Sequence, residues 1–160
     1  MTEIEAAKQR AVSAMEMFLR NFSKVPDERL NWQAAPGAKT PLRIAAHTAL
    51  YAARFAATME TRDLPQPGDL DAWLAAREQE ERAVASREEV EAAFRAGTER
   101  VLAAMDALEP EDLDAMLDSG QGWRMPMRFL VDLPAIHANL HCGQIDFLQT
   151  CWGDQDVYVD

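Results

Sequence analysis

A chain of 160 residues with a 48% hydrophobic fraction has material for one sizeable core, and 27 acidic against 16 basic residues leave a net charge of −11. That balance argues against nucleic acid as a partner, because binding it relies on neutralising phosphates with Lys and Arg, and it offers no attraction to an anionic membrane surface. No apolar run approaches the roughly 20 residues that span a bilayer, and the opening "MTEIEAAKQR" lacks the basic-then-apolar layout of a secretion signal.

Residues 1–160 read as a single, almost wholly helical domain. Thr2-Glu3-Ile4-Glu5 is a capping box, and Ile4, Ala11, Met15, Phe18 and Phe22 recur at helical steps, which predicts a first helix from Glu3 to Ser23. A loop broken by Pro26, Pro36 and Gly37 follows. Thr40-Pro41 then opens a second helix to about Thr61, with Thr40 as the cap and proline where no amide hydrogen is needed. Ile44, His47, Leu50, Tyr51 and Arg54 lie on or near one of its faces.

Pro65, Pro67 and Gly68 end that segment. A shorter helix is expected from Asp69 to about Arg82, with Leu70, Trp73 and Leu74 as its apolar side. Ser86-Arg87-Glu88-Glu89 is a second capping box, opening a long helix to about Leu108. Its stripe is Val90, Phe94, Gly97, Val101, Met105 and Leu108. Gly97 reads either as a point of close helix approach or as a tolerated imperfection. A polar connection with a short turn near Leu113 to Leu117 leads to a last helix from about Met127 to Trp152, kinked or restarted at Pro134. Four long amphipathic segments without strand signals predict an all-α four-helix bundle with a short extra helix between the second and third long ones.

Cys142 and Cys151 fall on the last helix, where nine residues at about 1.5 Å each separate them by roughly 13 Å. That is beyond disulfide reach, so both are expected as free thiols, which suits a cytoplasmic location.

The chemistry is concentrated in the three histidines. His137 and His141 stand four apart in "HANLHCGQ" and share a face with Leu130, Pro134, Gln144 and Leu148. His47 shares a face with Ile44 and Tyr51. Each alone reads as a hydrogen-bonded core histidine. Together they read more economically as ligands of one metal ion, since neutral imidazoles satisfy a divalent cation without a desolvated negative charge. Ala138 occupies the position at which H-E-x-x-H proteases carry their base, so that chemistry is excluded. No carboxylate lies three or four residues from any of the histidines, and Cys142 points away from them on a regular helix.

With His47 inside "TPLRIAAHTALYAARF" and the H-x-x-x-H-x-Gly-Gln run of "HANLHCGQIDFLQTCWGD", the sequence resembles the DinB-like superfamily of small helical metal-binding proteins. "VPDERLNWQAAPGAKT" resembles that family's loop between its first two helices. The likeness is good at both histidine segments and weak over residues 62 to 85. It departs at Thr48, Ala138 and Cys142, where relatives often carry acidic or basic residues.

The resemblance implies a His47, His137, His141 metal site, a homodimer, and kinship with S-transferases that use small thiols. A divalent ion is expected, zinc first and nickel next, because affinity order and availability decide. On that reading the chain is a metal-dependent thiol S-transferase with a small-thiol cosubstrate, and Tyr51, Arg54 and Gln144 touch substrate. The alternatives are a non-catalytic metal-binding scaffold or stress-response protein, and, more distantly, a metal-dependent hydrolase.

Overall fold

The computed structural model describes residues 1–158. Among them run five α-helices: α1 (Glu3–Ser23), α2 (Pro41–Thr61), α3 (Leu70–Ala83), α4 (Arg87–Asp106) and α5 (Met127–Cys151). The four long ones form the bundle. The sequence signals for their starts hold in atomic detail. Thr2 and Glu5 make the full reciprocal capping box, and Thr40 Oγ1 accepts from the Arg43 amide with Pro41 at the first helical position. Ser86 caps α4 through the Glu89 amide. The Glu89 carboxylate, however, accepts from Ala85 N–H, one residue before the cap.

The core forms two adjoining clusters. Phe18, Phe22, Phe94, Ile145 and Leu148 centre one, and Met59, Val101, Met105, Met127 and Leu130 the other. The predicted stripe of α4 is buried throughout, from Val90 to Leu108. The buried positions of α2 include Ala45, Ala46, Ala49, Ala52 and Ala56, small side chains that let α4 come close. At Gly97 a Cβ would stand 2.8 Å from Ala52 Cβ and 3.0 Å from the Ala53 amide nitrogen, so the glycine is a point of close approach.

Two expectations need correction. The region read as free of strands contains a small antiparallel ribbon, β1 (Met116–Asp118) against β2 (Arg124–Pro126), with Leu117 opposite Met125. Three-residue strands are too short for a visible alternation, and Gly120 and Gly122, both at positive φ, turn the chain between them. The ribbon feeds α5 directly, and the Met127 amide bonds the Ala115 carbonyl at 2.8 Å. The helix therefore starts at Met127 and continues through Pro134.

The second correction is α3. Of the expected apolar side, Trp73 is half-buried, but Leu70 and Leu74 are 57% and 50% exposed, and the helix fully buries one residue, Glu81. Polar bonds hold it in place. Arg43 donates to the carbonyl oxygens of Glu81 and Val84, Lys39 pairs with the Glu81 carboxylate at 2.8 Å, and Arg54 pairs with Glu80. A periodicity of apolar residues cannot report a helix seated by its charges.

Cys142 and Cys151 are free thiols, as expected. No described helix is long and apolar enough to cross a membrane.

Candidate metal centre

α2 and α5 pack side by side, and the three histidines meet where they face each other. His137 Nε2 lies 3.2 Å from His47 Nε2 and 3.1 Å from His141 Nε2. All three are half-buried. Tyr51 and Phe55, one and two turns along α2, flank the group, their rings 5.0 and 5.4 Å from that of His137.

What the outer nitrogens bond decides what the inner ones can do. His47 Nδ1 lies 2.6 Å from Glu81 Oε1, and His141 Nδ1 lies 2.7 Å from Gln144 Oε1. Both partners are acceptors, so each Nδ1 carries the hydrogen and each of these rings turns an Nε2 lone pair inward. His137 Nε2 therefore faces two acceptors. A hydrogen on it serves one and leaves the other unpaired; a cation serves all three. Ligand nitrogens about 2.1 Å from an ion stand roughly 3.0 Å apart at right angles and 3.4 Å apart in a tetrahedron, and the two close separations fall between these. The group is of the right chemistry and size to hold a metal ion.

The electrostatics favour neutral imidazoles. Burial is the largest influence on all three, and it lowers each below the ordinary value of 6.5. His137 goes furthest, to about 3, with its two neighbouring imidazoles adding to the effect. For His47 and His141 the hydrogen bonds to Glu81 and Gln144 oppose the shift without reversing it. Burial pushes the Glu81 carboxyl up, yet the hydrogen bonds from Lys39 and His47 outweigh it and hold the group below its ordinary range.

Glu81 is the functional residue that the sequence reading missed. It lies 34 positions from His47 and comes from the helix where the resemblance is weakest. An acidic partner on a metal-ligating imidazole fixes its tautomer and raises its basicity. Gln144 performs the orienting task for His141, with its side-chain oxygen committed to that ring. Tyr51 lies against His47 and His137, and Arg54 stacks on the Tyr51 ring at 4.6 Å. Cys142 is buried and takes a hydrogen bond from Asn21, away from the three Nε2 atoms.

One cleft reaches the group at His47, and a second reaches it through Tyr51 and Phe55. The first, of about 550 Å³, is polar and lined by Lys39, Arg43, His47, Glu78, Glu81 and Arg82. The other, of about 440 Å³, is largely apolar. Tyr51 and Arg77 line both.

A helical bundle that gathers three inward-turned imidazole lone pairs from two helices defines a class: small bundle proteins with a histidine-only group able to hold a metal. The chain belongs to the DinB superfamily, whose family model matches residues 10–145. Among solved structures it resembles a DinB-like protein of Bacillus cereus ATCC 10987 (TM-score 0.70, 22% identity, 96% of this chain and 97% of that one). A second is a sibling lethal factor precursor, DfsB (TM-score 0.70, 20% identity, 96% and 99%). A third is the DinB-like protein YjoA of Bacillus subtilis (TM-score 0.66, 16% identity, 92% of each chain). At these identities the likeness is one of fold. No curated protein matches the sequence.

Proposed function

We propose that the chain holds one divalent ion, zinc first and nickel next, on His47, His137 and His141, and acts as a thiol S-transferase toward small electrophiles. The observation that carries this reading is the convergence of three imidazole nitrogens beside Tyr51, the residue shared by a polar cleft that includes His47 and an apolar one. A divalent ion bound there supplies the Lewis acidity that lowers a thiol's pKa toward neutrality, which removes the need for a carboxylate base.

The chain's own residues supply the rest. Glu81 and Gln144 hold two of the imidazoles in the ligating tautomer. Lys39, Arg43 and Arg82 offer charge to the polar body of a thiol, while the apolar cleft takes the electrophile. Tyr51, at the junction, orients both reactants. Arg54 and the Gln144 amide hydrogens are the remaining proposed substrate contacts. In the transfer the sulfur gains a bond to carbon, the leaving group departs with the electrons of the broken bond, and the thiol proton passes to solvent.

Elemental analysis of the purified protein, followed by conjugation assays with a panel of small thiols and a chloronitroarene, tests this. The expected result is one ion per chain and metal-dependent conjugation that disappears in His137→Ala. Unchanged metal content in both His47→Ala and His141→Ala would remove the site. Stoichiometric metal with no conjugation by any thiol would leave a non-catalytic metal-binding bundle.

A further inference from the structure

The apolar cleft lies between α2, α3 and the start of α5, walled by Phe55, Leu64, Trp73, Met125, Leu130 and Leu133. Its volume of about 440 Å³ falls in the range that encloses small organic ligands. Two guanidiniums line this otherwise greasy space. Arg54 stacks on Tyr51 and Arg77 on Trp73, at 4.6 and 4.7 Å from the ring centres, so both planar forks are held rather than free.

Their hydrogen bonding is incomplete. Arg54 Nη2 and Arg77 Nη1 both donate to one carboxylate, Glu80. Arg54 Nη1 and Arg77 Nε are shut away from water and have no acceptor. Buried donors without acceptors are costly, and charged ones more so. At the arginine end, two guanidiniums against one carboxylate leave a local excess of one positive charge. The acid that lines the cleft, Asp63, is exposed and lies nine residues beyond Arg54, past the end of α2. It repels an anion from that end and leaves the arginine end as the favoured one.

We propose that this cleft binds a small monocarboxylate with an apolar body, the carboxylate held by Arg54 and Arg77 and the body lying against Phe55, Trp73 and Leu133. Glu80 is half exposed and can release either fork, so a guanidinium exchanges this carboxylate for the ligand's without leaving its ring. A carboxylate matches the fork in pairs of parallel bonds and cancels the one excess charge. A dianion would overcompensate it. Tyr51 and Phe55 carry the cleft up to the His137 ring, so the bound molecule lies beside the metal centre. The inference concerns binding and stands independently of thiol transfer.

Calorimetric titration of the full-length protein, as purified, with 4-phenylbutyrate, its neutral amide and acetate provides the test. The acid is expected to bind at least about ten-fold more tightly than either comparison compound, as charge-assisted paired bonds and apolar burial both contribute. Arg77→Met should weaken it by a similar factor. Leu133→Trp, which fills the cleft and leaves every charge in place, should weaken it too and guards against a folding artefact in the arginine variant. Arg95→Met, which removes an exposed guanidinium of α4 remote from the cleft, should leave it nearly unchanged. Equal affinity for acid and amide, no binding of the acid, or indifference to both Arg77→Met and Leu133→Trp would overturn the proposal. So would binding that is lost in His137→Ala and kept in Arg77→Met, which would place the carboxylate on the ion. Loss of conjugation activity with phenylbutyrate binding intact would count against the transferase reading alone.

Discussion

Glu81 is 4% exposed and accepts hydrogen bonds from two cationic or potentially cationic partners, Lys39 and His47. Its carboxylate gives the His47 ring a fixed tautomer and a more basic Nε2, so its charge as well as its shape matters. Glu81→Gln keeps an acceptor for His47 but removes that charge, and metal affinity should fall by about 10- to 100-fold. Competition with a chromophoric chelator measures this, and an unchanged affinity would assign Glu81 to seating α3 only. The three clustered histidines were legible in the sequence because two share a helical face at i, i+4 and the third sits among inward-facing positions. Glu81 was not legible, because its link to His47 exists only in space. Gln144 was legible as a residue near the site. That its oxygen serves His141 required the rotamer.

At the scale of elements, the starts of α1, α2 and α4 could be read from side chains that satisfy free amides within three residues, a wholly local signal. The ribbon and the seating of α3 depend on distant partners and left no periodic trace. Gly97 belongs between these cases, since the sequence shows the glycine and the packing shows its reason. Alanine there would gain about 1 kcal/mol of helix propensity. Its Cβ would meet Ala52 Cβ and the Ala53 backbone, both fixed to α2, so the two helices must move apart. Gly97→Ala should therefore destabilise the protein by about 1–3 kcal/mol, as overpacking does. Urea unfolding checks the sign, and a more stable variant would show that the α2–α4 contact yields without strain.

For the molecule as a whole, the lowered imidazole pKa values make stability depend on acid. Between each folded value and the ordinary 6.5, the unfolded chain binds protons that the folded chain does not. Stability from this source is complete above pH 6.5. It is lost as pH falls, over a window reaching to about 3 for His137. Glu81, also held below its ordinary value, adds a loss in the same direction once pH drops below 4.5. Urea titrations of the metal-free protein should show a midpoint that declines from pH 6.5 downward, and a much shallower decline in His137→Ala would identify that residue as the main contributor. The bundle needs α1, α2, α4 and α5 for its core, while α3 adds charge contacts and one wall of each cleft. One of those contacts ends on a proposed ligand. An ion on His47 makes its Nδ1–H a stronger donor to Glu81, so occupancy tightens the docking of α3, and by reciprocity a docked α3 tightens the hold on the ion. The walls of the clefts and the affinity of the centre are thus drawn from a single free energy, and the chelator competition on Glu81→Gln reads that coupling from the metal's side.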